Sequence, residues 1–221
     1  MSNSGTLFLL VFFSFHCLTS STTAIAPAPA VVAAPNTTFV TTPFIKEACR
    51  ATRYYLLCIQ CLTPFSKIVK QSERQIARVA LAVSLGKARS AAVFVTKLAS
   101  AKRLQPREYQ ALKDCMNNMA DSVDQLNQSM QEMGRVNNRL AGQDFIWRMS
   151  NVQTWVSAAL TDQNTCSDGF SGRYLYGAKF KVIVRRRVLY VAQVTSNALA
   201  LVNRFASRYR PRINSAPSTV P

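Results

Sequence analysis

A chain of 221 residues, 48% of them hydrophobic, is long enough to bury one hydrophobic core and to carry appendages. Its formal net charge is +17, and its single histidine, His16, lies in an N-terminal apolar run. If that run is removed as a signal peptide, the mature chain has no imidazole, which excludes Ser-His and Cys-His nucleophile pairs and histidine metal sites. We therefore expect no enzyme, no cofactor and no metal site, and the sequence shows no nucleic-acid-binding motif.

The N-terminal segment predicts secretion. Its apolar run is too short to span a bilayer, and Ala24-Ile25-Ala26 supplies a small-x-small cleavage site, so residues 1–26 are expected to be a signal peptide. Residues 27–43 are rich in Pro, Ala and Thr, which favours an extended linker. Asn36 and Asn127 each begin an Asn-x-Ser/Thr glycosylation acceptor. The pattern indicates a secreted, extracellular glycoprotein with no membrane span.

Helical periodicity begins at Phe44. It predicts two short helices and then four long amphipathic ones, at 44–51, 54–62, 66–102, 106–133, 143–163 and 179–208. A capping box at Ser72 predicts a break in the first long helix, and Gly134 is the expected C-cap of the second. Short connections between long helices predict an all-α domain over 44–208, an up-and-down four-helix bundle preceded by an N-terminal α-hairpin, with a basic, proline-containing tail at 209–221.

The cysteines predict disulfide bonds, which a secreted chain favours. If the second and third long helices are antiparallel, Cys115 and Cys166 lie within about 5 Å of the same height along the bundle at a rise of ~1.5 Å per residue, so a bridge between them fits. Cys49 would pair with Cys58 and staple the α-hairpin. Cys61, one helical turn after Cys58, competes for Cys49 or remains a buried thiol outside both bridges.

Charge is distributed unevenly along the chain. Bases dominate residues 62–105 and 169–221, where they include the run Arg185, Arg186 and Arg187, whereas acids outnumber bases in residues 106–133. Such a chain should adhere to polyanions. A secreted protein meets polyanions other than nucleic acid first, and Arg185, Arg186 and Arg187 are the candidate polyanion-binding residues.

Four stretches of the sequence resemble motifs of the plant invertase and pectin methylesterase inhibitors, in the order in which that family has them. They are Cys49-x8-Cys58 before a long helix, Ala111–Cys115 with Ala120–Leu126, Trp155–Thr161 leading into Thr165–Phe170, and Val194–Leu201. The resemblance covers roughly residues 44–207. It implies a helical hairpin before a four-helix bundle, with Cys49 paired to Cys58 and Cys115 paired to Cys166.

The resemblance also implies a function. Members bind a target enzyme in a one-to-one complex and block its substrate cleft, and pectin methylesterase is the expected target. Inhibition of acid invertase on the same scaffold is one alternative, and a non-inhibitory, basic, pectin-binding wall protein is another. Related inhibitors use polar faces of their second and third helices, which nominates as partner-binding residues Asn118, Asp121, Gln125, Asp162 and Thr165.

We further expect a monomer before complex formation, located in the plant cell wall. Salt-sensitive attraction of its basic helices to demethylated pectin would hold it there. The sequence departs from the family pattern at Asn117 and Met119, where the family often has Glu and Tyr, and at its spare cysteine, which is Cys61 rather than a residue of the last helix. The loss of one charge and one aromatic ring favours the pectin-binding alternative.

Overall fold

The computed structural model describes residues 41–101, 104–136, 142–172 and 180–208. These ranges contain no β-strand, and their α-helices are α1 (Pro43–Cys49), α2 (Tyr55–Leu62), α3 (Ser66–Val69), α4 (Glu73–Ala99), α5 (Pro106–Arg135), α6 (Gly142–Asp168) and α7 (Lys181–Arg208). A single 3-10 turn, Thr63–Phe65, joins α2 to α3. The expected signal peptide, nearly all of the expected linker with Asn36, and the tail at 209–221 lie outside the described residues.

Helices α4 to α7 form a four-helix bundle in which each packs on the next and α7 packs back on α4. Cross-helix pairs show that neighbours are antiparallel. Between α5 and α6, Cys115 pairs with Cys166 and Glu132 with Arg148, so the partner's number falls as the residue number rises. The same relation holds for two pairs between α4 and α7, Ser84–Thr195 and Glu73–Arg204. The predicted up-and-down four-helix bundle is confirmed.

The short helices α1 and α2 form the predicted hairpin, and the Cys49–Cys58 disulfide closes it. Thr42 caps the start of α1 by accepting a hydrogen bond from the Ile45 N–H. The hairpin is fixed to the bundle through buried Asn197 of α7. The Tyr54 N–H donates to Asn197 Oδ1 at 3.1 Å, and Asn197 Nδ2 donates to the Tyr54 carbonyl at 2.9 Å. One side chain therefore satisfies both backbone groups of the residue that precedes α2.

Replacing that side chain should loosen the hairpin. Asn197→Ala removes both hydrogen bonds and leaves the Tyr54 backbone groups without them, so we expect a loss of about 1–3 kcal/mol in the free energy of unfolding in urea. Asn203→Ala removes only an exposed hydrogen bond from Gln153 of α6, so it is the matched control and should change stability by less than about 0.5 kcal/mol. Equal losses in the two variants would contradict this role for Asn197.

Several helix boundaries differ from those that the periodicity predicted, and α6 runs to Asp168 rather than to residue 163. The first long helix begins at Glu73 rather than near residue 66, because Lys70 takes a left-handed backbone conformation (φ +49°) that ends α3. Ser72 Oγ then accepts from the Gln75 N–H, as the capping box predicted. The prediction that Gly134 caps the second long helix is wrong. Its backbone continues the helix to Arg135, and Val136 occupies the C-cap.

The bundle core is mostly aliphatic, with buried Phe145, Phe170 and Phe205 and with methionine on α5 and α6. Met119 and Met133 are fully buried, while Met116 and Met130 pack partly exposed against the core. Of the helices described, α4 is long and apolar enough to cross a membrane by length and composition alone. Its apolar face instead packs against α5 and α7, which is the arrangement of a core helix.

Two buried carboxylates form ion pairs that connect helices. Glu73, at the start of α4, accepts from Arg204 at 3.1 Å and from Arg208 at 2.7 Å, both on α7. Glu132, near the end of α5, accepts from Arg135 and from Arg148 of α6. Burial of both carboxylates makes these pairs costly to break, because the remaining charge would lack a partner. Two of the bundle's acids and four of its bases are therefore structural.

Candidate functional site

The register between α5 and α6 determines where the nominated partner-binding residues lie relative to one another. Besides the Cys115–Cys166 disulfide, buried Gln163 donates from Nε2 to buried Ser122 Oγ at 2.7 Å. A covalent bond and a buried hydrogen bond about two helical turns apart on α5 fix how the two helices slide and rotate against each other. Polar side chains next to these buried pairs consequently occupy defined positions along the α5/α6 face.

Three of the five nominated residues meet on this face. Burial raises the pKa of the Asp162 carboxyl on α6, and the neighbouring carboxylate of Asp121 on α5 raises this pKa further. The side chain of Gln125 donates a hydrogen bond to Asp162, which lowers the same pKa without cancelling the rise. Asp121, Gln125 and Asp162 thus form one polar cluster across the two helices, which we call the acidic cluster.

The acidic cluster should make stability depend on pH. The folded chain holds the Asp162 proton more tightly than the unfolded chain does, so wild-type stability falls as pH rises from the ordinary Asp value of 3.8 through the raised pKa. Asp162→Asn removes this titration. We expect its melting temperature to equal that of the wild type below this window and to exceed it at neutral pH. A difference in melting temperature that does not change with pH would contradict the raised pKa.

The other two nominated residues lie one helical turn from the cluster. Asn118 precedes Asp121 by three positions and donates to the Asp114 carbonyl at 3.0 Å. Thr165 follows Asp162 by three positions and donates to the Thr161 carbonyl at 3.0 Å. Residues spaced by three share a helix face, so each extends the cluster along its own helix. We call these five residues, Asn118, Asp121, Gln125, Asp162 and Thr165, the α5/α6 face.

The chemistry of this face suits binding rather than catalysis. It offers carboxylates, amides and a hydroxyl, without a nucleophile activated by a neighbouring base. In the part of the chain that the structure describes, no group of three or more His, Cys, Asp or Glu side chains is arranged to hold a metal ion. Carboxylates at a surface attract basic groups.

The departures from the family pattern fall on different sides of α5. Met119 is fully buried, so the change from Tyr affects the core and not a contact surface. Asn117 is exposed and removes one negative charge from the helix surface. Sequence reasoning missed Ser122 and Gln163, the buried pair that orients the face. The sequence signal that could have identified them is one polar residue at a core-facing position of each of two adjacent helices.

Of the remaining nominated residues, Cys115 and Cys166 bridge α5 and α6, and the others lie away from the α5/α6 face. Asn127 accepts a hydrogen bond from Arg89 of α4 at 2.7 Å. Ser129, the third residue of its glycosylation sequence, is buried, and glycosylation of Asn127 stays a prediction. Cys61 belongs to neither disulfide and its buried Sγ lies 3.8 Å from the Tyr190 hydroxyl. The two disulfides join Cys49 to Cys58 and Cys115 to Cys166, as the resemblance implied.

The three arginines of the basic run are all exposed on α7 but do not point to one place. Arg187 donates to Ser90 Oγ of α4 at 2.9 Å, and its guanidinium lies 4.6 Å from the centre of the Phe94 ring. Arg185 and Arg186 line a groove on another side of the helix. A run of three consecutive residues spans 200° around an α-helix, which separates these side chains.

Comparison with known proteins agrees with this arrangement. The family model described as plant invertase/pectin methylesterase inhibitor matches residues 43–201. The chain is 44% identical over 210 residues to pectinesterase inhibitor 9 of Arabidopsis thaliana, covering 94% of this chain and 97% of that protein. It is 42% identical over 191 residues to the 21 kDa protein of Daucus carota, covering 86% of this chain and 98% of that protein.

A solved structure shares the fold. A mutant form of a pectin methylesterase inhibitor from Arabidopsis superposes with a TM-score of 0.57 at 16% sequence identity, over 73% of this chain and 97% of that one. The family model and the sequence relatives lead to one assignment, to a family of inhibitors rather than of enzymes. This chain belongs to the plant invertase/pectin methylesterase inhibitor family.

Proposed function

We propose that this chain inhibits a pectin methylesterase by binding it one to one and closing its substrate cleft with the α5/α6 face. The observation that carries the proposal is the 44% identity, over 94% of the chain, to a protein named pectinesterase inhibitor 9. A second relative, 39% identical over 199 residues, is named pectinesterase inhibitor 11. These names favour the esterase over acid invertase as the target.

Inhibition would be steric. The α5/α6 face is held by the Cys115–Cys166 disulfide and the buried Ser122–Gln163 hydrogen bond, so little conformational freedom is lost when it binds. A surface fixed in advance can cover a cleft without rearranging, as pre-organised protein inhibitors do. The substrate would then be excluded because helix surface occupies its place, with no reaction at the inhibitor.

Charge would select the partner. Between Lys113 and Arg135, α5 exposes Asp114, Asp121 and Asp124 and has no Lys or Arg, so this stretch of an otherwise basic protein is locally acidic. An enzyme with basic residues around its cleft would be attracted to this side and repelled by the basic side of the bundle. The proposal therefore places Asp121 and Asp162 near lysine or arginine side chains of the enzyme.

Inhibition should weaken as the medium becomes acidic. Ionised Asp162 attracts a basic partner, and protonation removes that attraction. Because burial and Asp121 raise the pKa of Asp162, the weakening should begin at a higher pH than an ordinary aspartate would give. Inhibition constants measured from neutral to acidic pH test this, with Asp162→Asn as the variant that lacks the dependence. An unchanged pH profile in that variant would show that Asp162 is not part of the contact with the enzyme.

The site of action we propose is the extracellular space of the plant cell wall, where pectin lies. The expected signal peptide at residues 1–26 and the acceptor Asn36 agree with secretion. Before meeting its enzyme the chain would be a monomer.

The direct experiment adds purified protein, in equal molar excess, to a pectin methylesterase and to an acid invertase. We expect the esterase to lose its activity and the invertase to keep its own. Loss of invertase activity alone would overturn the choice of target. Full activity of both enzymes would overturn inhibition and favour the pectin-binding alternative.

A further inference from the structure

A groove lies beside the N-terminal half of α7 and the C-terminal end of α6. Its volume of about 660 Å³ falls within the ~300–1,000 Å³ typical of ligand sites. The groove presents three cations, Lys181, Arg185 and Arg186, and three apolar or aromatic side chains, Val182, Leu189 and Tyr190. We call this surface the basic groove. It combines positive charge with apolar and aromatic side chains, which distinguishes it from an ordinary solvated helix face.

The positive charge of the basic groove is not neutralised. No Asp or Glu lies on α7, and none lines the groove. The more distant bases of α7, Arg204 and Arg208, are paired with Glu73. Arg185 and Arg186 are exposed and form no ion pair within the described residues. Uncompensated cations at this spot attract an external anion.

The geometry of these cations suits an anionic chain more than a single ion. Lys181 donates from Nζ to the Gly172 carbonyl at 2.8 Å, which fixes one ammonium at the end of the groove. Arg185 follows one helical turn later, about 6 Å along the axis. Two separate anionic groups of one molecule can therefore be engaged at the same time. Guanidinium groups bind carboxylates through two parallel hydrogen bonds, so carboxylates fit Arg185 and Arg186 well.

We propose that the basic groove binds a carboxylate-bearing polysaccharide, namely a stretch of demethylated pectin. Its repeated carboxylates meet Lys181, Arg185 and Arg186, and the apolar faces of its sugar rings pack on Leu189 and Tyr190. Lys87 of α4 adds a further cation beside the Tyr190 ring, with its Nζ 5.6 Å from the ring centre. Fully methyl-esterified pectin offers the same rings without the charge and should bind poorly.

The basic groove and the α5/α6 face can act together. Helices α4 and α6 each pack on both α5 and α7, so α5 and α7 occupy diagonal corners of the bundle. A polysaccharide held along α7 leaves open the α5 part of the α5/α6 face, Asn118, Asp121 and Gln125, whereas the α6 part lies closer to the groove. The inhibitor would thus be retained on the product that a pectin methylesterase generates, although binding in the groove does not depend on inhibition.

The test uses immobilised polygalacturonate and contains no enzyme, so its outcome is independent of the proposed inhibition. We expect Arg185→Gln/Arg186→Gln to weaken binding by roughly tenfold, because two exposed charge pairs are lost. Arg107→Gln/Lys113→Gln removes the same charge from exposed positions of α5 and should stay within about twofold of the wild type. Raising the salt concentration should weaken wild-type binding and narrow the difference between the two variants.

Three results would overturn the proposal. Equal losses in the two double variants would mean that net charge, and not the groove, drives adhesion. Equal binding to polygalacturonate and to fully methyl-esterified pectin would exclude carboxylate recognition. Unchanged binding of Arg185→Gln/Arg186→Gln to polygalacturonate would show that these two residues do not contact the polysaccharide. Matching melting temperatures of both variants and the wild type will show that any loss arises in the folded protein.

Discussion

Cys115→Ser/Cys166→Ser should lower the free energy of unfolding by about 4 kcal/mol, because the disulfide closes a long loop in the unfolded chain. The two cysteines are 51 positions apart and both are buried between α5 and α6. For a domain of this size the loss corresponds to a fall of about 8–16 °C in melting temperature. Urea unfolding followed by circular dichroism measures the free energy, and a thermal scan measures the temperature.

The second disulfide provides a matched control. Cys49 and Cys58 are only 9 positions apart, so the same chain-entropy relation gives about 2.5 kcal/mol for Cys49→Ser/Cys58→Ser. The order of the two losses follows from loop length alone. A larger loss in the hairpin variant than in the bundle variant would show that packing around the cystines, and not the constraint on the unfolded chain, dominates their contribution.

Asp121→Lys should weaken inhibition of pectin methylesterase by about 100-fold or more, because like charges facing each other across an interface cost several kcal/mol. Asp121 is exposed on α5 and belongs to the acidic cluster, so the substitution leaves the core untouched. The new ammonium would also lie beside the Asp162 carboxylate, which attracts it, so the substitution should not lower stability. Inhibition constants measured at low salt, where charge effects are largest, will show the effect best.

The control for this variant makes the same charge change at the other end of the bundle. Asp144 is exposed in the first turn of α6, 18 positions before Asp162, which is about 27 Å along the helix. Asp144→Lys should leave the inhibition constant within about threefold, and it costs at most ~1 kcal/mol of stability at the helix N-terminus. Equal weakening by the two variants would contradict a localised contact on the α5/α6 face.

The fold was predictable because its signals are local. Amphipathic periodicity located the four long helices, and the capping box at Ser72 located the start of α4. Gly134 was misjudged because glycine is common after helix ends, yet here α5 gains its last turn from packing of Met133 and from the Glu132–Arg148 ion pair. Tertiary contacts of this kind are not visible in a helix-end pattern.

The site was only partly predictable, because it depends on how two helices meet. The sequence identified Asp121 and Asp162 as polar, but their mutual influence follows from the α5/α6 register that Ser122 and Gln163 help to set. Likewise, three consecutive arginines suggested one basic site. The packing of Arg187 on Phe94 separates it from Arg185, which lines the groove.

The most direct test of the account is a titration of pectin methylesterase activity with increasing amounts of the purified chain. Closure of the cleft in a one-to-one complex predicts that activity falls in proportion to added protein and approaches zero at equal molar amounts, with Asp121→Lys requiring a large excess. Undiminished activity at a large molar excess of the wild-type chain would contradict the account.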